Sequence, residues 1–164
     1  MIDFSVETPD DWHEVEYLYD LTFAPGRTAL SSYRLRDGVD PVADLCFVGR
    51  DGGGVLAAAV RNWPVCVGPA GHAALLLGPI SVHPTRQGEG LGAALMAHCL
   101  DEAAAAGWER VILIGDAPYY GRFGFVRLDA VTFPPPTNPE RVLGQALAPG
   151  GLDGVAGHVR KWPG

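Results

Sequence analysis

The sequence predicts an α/β domain with a mixed sheet, and three observations carry the prediction. Strand and helix patterns alternate along the chain. Two apolar segments flank the glycine-rich "DGGG", which is typical of an antiparallel hairpin. Residues 75–116 show the pattern strand, glycine loop, helix, strand, which implies a right-handed parallel crossover. At 164 residues, 48% of them hydrophobic, the chain suits a single domain spanning 1–164.

The N-terminal segment predicts a strand and then a helix. Residues 2–6 alternate apolar and polar side chains, as a half-buried strand does. Thr8 then provides an N-cap, Pro9 suits the first helical position, and Asp11 adds a carboxylate to the first turn. We therefore expect a helix over 9–23, followed by a partly helical stretch through residue 36.

The rest of the chain supplies the sheet and one long helix. Strands are predicted in "LCFVGR" and "VLAAAVRNW", which form the hairpin, and in "AALLLGPISV" and "RVILIGD". Apolar residues keep helical spacing from Leu91 to Ala103, and Gly107 suits the left-handed position that ends a helix. The tail holds "FPPPTNP", an irregular connection, and "DGVAGHVRKW", a predicted last strand.

Composition limits the partners. A net charge of -7 and a pI near 5.0 disfavour nucleic acid and favour cationic small molecules. Cys46, Cys66 and Cys99 lack the paired spacing of a zinc site or a redox motif, so we expect reduced core thiols and no metal. The first residues have no signal-peptide pattern, and no apolar run is long enough for a membrane span. A cytoplasmic location is expected.

The segment "HPTRQGEGLG" predicts an anion site. A helix N-terminus leaves about four backbone N–H groups without intrahelical acceptors and carries roughly half a positive charge. Gly88, Gly90 and Gly92 keep side chains away from those amides, so a phosphate can approach the backbone. The alternative is a flexible glycine turn without a ligand.

A dinucleotide is the rival ligand. "GEGLGA" satisfies the pattern G-x-G-x-x-A, and Asp116 follows at a strand end about twenty residues later. Against it, "HPTRQ" separates the strand from the first glycine, and a hairpin precedes the loop. A Walker loop is excluded because no G-K-[ST] follows the glycines.

The segments "SVHPTRQGEGLGAALM" and "YYGRFGF" resemble two signatures of the GNAT superfamily of N-acetyltransferases. "SVHPTRQGEGLGAALM" is similar to that family's acyl-coenzyme A loop, with Gln87, Gly90 and Gly92 at the motif positions. "YYGRFGF" resembles its second signature, a tyrosine five residues before the phenylalanine of a Gly-Phe pair. The resemblance covers about residues 2–128. The paired tyrosines and "GGLDGVAGHVR" are most similar to a bacterial subgroup of predicted N-acetyltransferases, the YhbS-like group.

The resemblance implies a GNAT-type acyl-CoA N-acyltransferase fold: a mixed, largely antiparallel sheet flanked by helices. It implies acetyl-CoA as acetyl donor, with its pantetheine arm along the strand that ends at Val82 while the crossover strand splays away. The expected cofactor-binding residues are Ile80, Val82, Gln87, Gly88, Glu89, Gly90, Leu91, Gly92, Ala93, Asp116 and Arg122. A solvated surface arginine is the alternative for Arg122.

Tyr120 is the expected general acid, because a departing thiolate needs a hydrogen-bond donor. Tyr119 is the alternative if the loop is shifted by one residue, and a Tyr120 ring that only packs beneath the Gly-Phe turn is the structural alternative. The general base is not identified, and His72, Ser81 and His83 are the nearby polar candidates.

The predicted function is transfer of an acetyl group from acetyl-CoA to an amine, without metal, nucleic acid or membrane. The sequence does not decide whether the protein forms a homodimer. The alternatives are a dinucleotide-binding protein, a non-catalytic coenzyme A sensor and a partner-binding module.

Overall fold

The computed structural model describes residues 1–23 and 27–163. Residues 24–26 belong to the predicted partly helical stretch and lie outside the described residues. The described strands are β1 (Asp3–Val6), β2 (Phe47–Arg50), β3 (Leu56–Val67), β4 (His72–Val82), β5 (Arg110–Ile114), β6 (Val126–Arg127), β7 (Val131–Thr132), β8 (Val142–Ala146) and β9 (Gly157–Lys161). The described α-helices are α1 (Trp12–Thr22), α2 (Ser31–Arg34), α3 (Leu91–Ala105) and α4 (Ala117–Gly121).

The strands form one mixed sheet in the order β1-β2-β3-β4-β5-β8-β6. β2 and β9 share one edge of β3: β2 pairs with residues 56–60, and β9 pairs with residues 65–67. β7 pairs in turn with β9. Among the described strands only the pairs β4–β5 and β7–β9 are parallel. The predicted mixed, largely antiparallel sheet is therefore confirmed, including the β2–β3 hairpin and the parallel crossover through α3.

The start of α1 and the end of α3 have the capping residues that the sequence predicts, but α1 begins later than predicted. The backbone N–H of Thr8 donates to Asp11 Oδ2 at 2.8 Å, which is half of a capping box. Pro9–Asp11 form a 3₁₀ turn, so α1 begins at Trp12 and ends at Thr22 rather than spanning 9–23. At the end of α3, Gly107 has a φ of 94°, the left-handed conformation expected of a capping glycine.

Helices cover both faces of the sheet, α3 on one face and α1 on the other. The side chains of β3 show this, because alternate residues of a strand face opposite sides. Ala58 and Val60 pack in a cluster with Leu95 and Cys99 of α3. Ala59, between them, packs with Val15 and other residues of α1. The central strand is therefore buried on both faces, which explains its continuous run of small and apolar residues.

β4 and β5 form a fork, which creates the site. The two strands pair only at Leu75 with Val111 and at Leu76 with Ile112. On its other edge, β4 stays paired to β3 as far as Val82. From residue 77 to residue 82, β4 therefore has one edge without a strand partner in the described part of the chain. The resemblance to the GNAT superfamily implied that the crossover strand β5 splays away from β4, and the structure has this arrangement.

Candidate active site

The glycine loop lies between the end of β4 and the start of α3. Gly88 and Gly90 have φ angles of 89° and 79°, in the left-handed region that L side chains rarely adopt. A Cβ built on either would meet no atom within 4 Å, so space outside the loop is open. Gly92 differs, because a Cβ there would lie 3.1 Å from the Tyr119 hydroxyl. Two glycines thus shape the backbone, and the third makes room for a side chain.

The N-terminus of α3 presents free backbone donors to this space. Gly90 is the N-cap residue and offers no side-chain acceptor, and the first α-helical bond runs from the Ala94 N–H to the Gly90 carbonyl at 3.1 Å. The amides of residues 91–93 therefore have no intrahelical acceptor. The first turn of α3 carries no acidic residue. These amides and the helix dipole together favour an anion.

A pocket of about 540 Å³ runs from this loop along the open edge of β4. Its walls include most of the residues predicted to bind the cofactor, together with the predicted acid. They are Ile80, Val82, Gln87, Gly88, Gly90, Leu91, Gly92, Ala93, Tyr120 and Arg122. The structure therefore brings into one groove residues that the sequence places up to forty-two positions apart.

Glu89 and Asp116, predicted as cofactor-binding residues, are not among the residues that line this pocket. The Glu89 carboxylate accepts from Arg86 Nε at 2.9 Å, and Arg86 also lies 3.3 Å from Asp51. Asp116 instead caps α4, with its Oδ2 accepting the Tyr119 backbone N–H at 3.2 Å. Both carboxylates are therefore engaged in local structure, and Asp116 acts on the site by fixing the helix that carries the tyrosines.

Tyr119 and Tyr120 both line the pocket, but from different positions. The Tyr120 ring is half-buried and packs edge-to-face on Phe125, with ring centroids 5.9 Å apart. A Cβ on Gly115 would collide with that ring, so the glycine at the end of β5 makes its position possible. Tyr119 is 41% exposed, and its hydroxyl points toward Gly92.

The spacing of the second motif has a physical cause. Gly124 has a φ of 95°, which turns the chain back after α4. Phe125 then enters the core at 5% exposure, and its N–H donates to the Tyr120 carbonyl at 3.3 Å. Burial, followed by the neighbouring Tyr119, raises the pKa of Tyr120 above its ordinary value. The residue keeps its proton through the neutral range, as a hydrogen-bond donor must.

Arg122 is an available cation at the same pocket. Its guanidinium stacks on the Tyr119 ring at 4.4 Å, and its Nε donates to the Tyr119 carbonyl at 3.2 Å. Within residues 1–23 and 27–163 it has no carboxylate within 4.0 Å. Arg86, which also lines the pocket, is by contrast held by two carboxylates.

The polar candidates for a general base are occupied or distant. The Ser81 hydroxyl donates to Thr22 Oγ1 at 2.5 Å. His83 Nδ1 accepts the Thr85 N–H at 3.2 Å and so caps the turn after β4. His72 begins β4, ten residues from Val82 and at the other end of the strand. None of the three has a side chain directed at the pocket and free of other bonds.

Sequence reasoning missed two residues of the pocket, Arg86 and Met96. Met96 lies four residues after Gly92 on α3, hence on the same face of the helix, and this spacing could have identified it. Arg86 carried no such signal, because its position depends on the 3₁₀ turn Pro84–Arg86. Within the described ranges, no cluster of three or more His, Cys, Asp or Glu residues has the arrangement of a metal site.

A family model described as "Acetyltransferase (GNAT) domain" matches residues 43–127, just over half of the chain. That stretch runs from before β2 to the end of β6 and contains the fork, the glycine loop and both tyrosines. The chain belongs to the GNAT acetyltransferase family. A comparison with curated protein sequences finds no match.

Solved structures of GNAT proteins have the same fold. The GNAT family N-acetyltransferase YhbS from Escherichia coli, solved in complex with CoA, is 27% identical, with a TM-score of 0.84 over 98% of this chain and 89% of that one. A GNAT family acetyltransferase from Brucella melitensis, in complex with acetyl-CoA, is 26% identical, with a TM-score of 0.73 over 99% and 97% of the two chains. The Escherichia coli ribosomal-protein-S18-alanine N-acetyltransferase, at 20% identity and a TM-score of 0.62, covers 90% of this chain and 95% of its own and shares the fold. Across the described helices, none combines the length and apolar character that crossing a bilayer requires.

Proposed function

We propose that this chain transfers the acetyl group of acetyl-CoA to an amine by direct attack in a ternary complex. The observation that carries the proposal is the continuity of one groove, from the free amides of α3 along the unpaired edge of β4 to Tyr120. YhbS with CoA and the Brucella melitensis protein with acetyl-CoA support the choice of ligand.

The residues of the groove fit an acyl-CoA. The amides of residues 91–93 and the backbone at Gly88 and Gly90 would hold the pyrophosphate, and Gln87 and Arg122 would add side-chain donors. Backbone groups of β4 near Ile80 and Val82 have no strand partner on the fork side, so they can pair with an extended amide chain. When bound, acetyl-CoA supplies an activated acetyl thioester.

Tyr120 would hold a proton near the thioester sulfur. Its pKa, raised above the ordinary value near 10, exceeds that of a thiol near 8.5, so full proton transfer is uphill by more than about 2 kcal/mol. The hydroxyl therefore stabilises the developing thiolate by a hydrogen bond rather than by complete protonation. The remaining requirement is a neutral amine held against the carbonyl carbon.

Two measurements in sequence test the proposal. Heat denaturation with coenzyme A, acetyl-CoA and NAD should show stabilisation by the first two and none by NAD, because a ligand stabilises only the state that binds it. Thiol release from acetyl-CoA should then depend on an added amine from a panel of amino acids, aminoglycosides, polyamines and peptides. Stabilisation by NAD alone would establish the dinucleotide alternative. Binding without amine-dependent thiol release from any member would favour the sensor.

A further inference from the structure

A second pocket, of about 130 Å³, shares Tyr120 with the groove. Ile80 and Tyr120 line both pockets, so the second pocket reaches the open edge of β4 near the end of the proposed acetyl-CoA groove. Its remaining walls come from the diverging strands β4 and β5 and from the segment around α2, and they include Arg27, Tyr33, Arg36 and Gly78. This is the position from which an acceptor amine could reach the thioester, and the inference rests on the proposed function in that respect.

The charges of this pocket differ from those of the whole chain. Its lining contains two arginines and, within the described residues, no carboxylate. Arg27 is already neutralised, because its guanidinium lies 3.0 Å from Glu16 and 3.0 Å from Asp20. The second arginine, Arg36, is the cation that remains.

Arg36 is largely buried and lacks an anionic partner. Its Nε is inaccessible to solvent and makes no hydrogen bond in the described part of the chain, and no described carboxylate lies within 4.0 Å. The guanidinium carbon lies 4.2 Å from the centroid of the Tyr33 ring. Nη2 lies next to Gly78, because a Cβ built on that glycine would be 3.7 Å from it. Burial lowers the pKa of Arg36 to about 10, so the group stays charged at neutral pH.

An adjoining outer pocket of about 510 Å³, which Arg36 also lines, does contain carboxylates. Glu16 is committed there to Arg27 and Arg61. Asp37 and Asp40 are exposed and make no ion pair with Arg36. Neither of these two aspartates therefore supplies the missing anion from within the chain.

We propose that Arg36 binds a carboxylate of the acceptor, and that the acceptor is a small amino acid or another amine that bears a carboxylate. A planar guanidinium matches a carboxylate in a bidentate arrangement, and Nε of Arg36 has no acceptor among the described residues. The stacking on Tyr33 fixes the plane of the guanidinium in advance, so little side-chain freedom is lost on binding. The volume of the inner pocket is below the roughly 300–1,000 Å³ of drug-sized ligand sites, which limits the acceptor to a small molecule.

The test compares N-acetylated amino acids with their carboxamides as ligands of the protein saturated with coenzyme A. These compounds are the expected products, and because their amines are blocked, the two members of a pair differ only in the carboxylate. Calorimetry should show that the wild-type protein prefers the acid by about tenfold or more, the equivalent of one charge-assisted hydrogen bond. Arg36→Gln should remove the preference with coenzyme A affinity unchanged, and Arg36→Lys should keep part of it.

Arg34→Gln is the matched control, because Arg34 ends α2 only two residues before Arg36 and lines neither pocket. It should keep the preference. Equal affinity for acid and amide in the wild-type protein, or a preference that survives in Arg36→Gln, would overturn the inference. Arg36-dependent binding of the acids without acetyl transfer to any amine would instead refute the proposed transferase and leave the carboxylate site standing.

Discussion

At the scale of single residues, the site depends on how neighbouring side chains position two adjacent tyrosines. Both follow the Asp116 cap, but Tyr120 turns toward the core against Phe125, and Tyr119 turns outward over Gly92. Of the two tyrosines, Tyr120 alone lines both the groove and the inner pocket. It is therefore the residue whose hydroxyl we expect to act on the departing thiol.

Tyr120→Phe keeps the ring and its packing but removes the hydroxyl. If that hydroxyl acts only in the transition state, kcat and kcat/KM should fall together by about a hundredfold, with acetyl-CoA affinity nearly unchanged. The advantage of wild type should shrink only above pH 10, because the raised pKa of Tyr120 keeps the proton in place at lower pH. Thiol release across pH measures both effects.

Tyr119→Phe is the control for that variant. Its ring would still stack under Arg122, so the expected change in kcat is small. A Tyr120→Phe enzyme as fast as wild type, or a larger loss in Tyr119→Phe, would assign the role of acid to Tyr119 or to solvent.

At the scale of elements, much of the groove could be predicted from the sequence, because local chemistry determines it. The left-handed glycines before α3, Gly107 after it and the two strands of the crossover all have local signals. The inner pocket could not be predicted, since Arg36, Gly78 and Tyr120 are brought together by the divergence of β4 and β5. Arg36 has no motif, and whether a charged side chain is buried depends on residues far away in sequence.

The glycine loop gives a test that separates backbone strain from ligand contact. Gly90 and Gly107 both have positive φ angles, 79° and 94°, and both would place a Cβ in open space. Alanine at either position should therefore destabilise the fold by a similar amount, about 1–2 kcal/mol. Only Gly90→Ala should also weaken acetyl-CoA binding, by about tenfold or more, because only Gly90 lines the groove.

Calorimetry of acetyl-CoA binding and urea unfolding on both variants check this. The Gly107→Ala protein calibrates the loss of stability at one end of α3 while leaving the other end unchanged. Equal acetyl-CoA affinities in the two variants would mean that the loop does not contact the phosphates.

At the scale of the whole molecule, the net charge of -7 and the charges that line the inner pocket have opposite signs. The net charge favours a cationic small molecule, which stays a prediction, whereas the inner pocket is lined by arginines and aromatic rings. The acidic residues described here lie largely on the surface or neutralise arginines, as Glu7 does for Arg61 at 2.9 Å. Charge summed over a chain predicts long-range steering, but a pocket recognises its ligand through the few charges that line it.

The buried acids of the core predict how the whole fold responds to alkaline pH. Burial raises the pKa of Cys46 and of Cys99 to about 11, from an ordinary value of 9.0. It also raises the pKa of Tyr19, whose hydroxyl donates to the Pro79 carbonyl at 3.0 Å. Between pH 9 and pH 11 the unfolded chain releases thiol protons that the folded chain retains. The stability that these thiols contribute is complete below pH 9 and is lost as the pH rises through 11.

The free energy of unfolding should therefore fall in this window by about 2 kcal/mol for each of the two thiols. In the double variant Cys46→Ala, Cys99→Ala, the fall between pH 9 and pH 11 should be shallower, because the two thiols no longer contribute to it while the tyrosines and Arg36 titrate in both proteins. The variant removes the bond that Asn62 Nδ2 donates to Cys99 Sγ at 3.0 Å. The amide keeps a partner, since Nδ2 also donates to the Leu45 carbonyl at 2.6 Å. Urea unfolding from pH 7 to pH 11 with a reducing agent measures both slopes, and the comparison does not depend on the variant's lower stability at pH 7. Equal slopes in the two proteins would show that the thiols ionise in the folded state as readily as in the unfolded chain, and that the core around α3 admits charge.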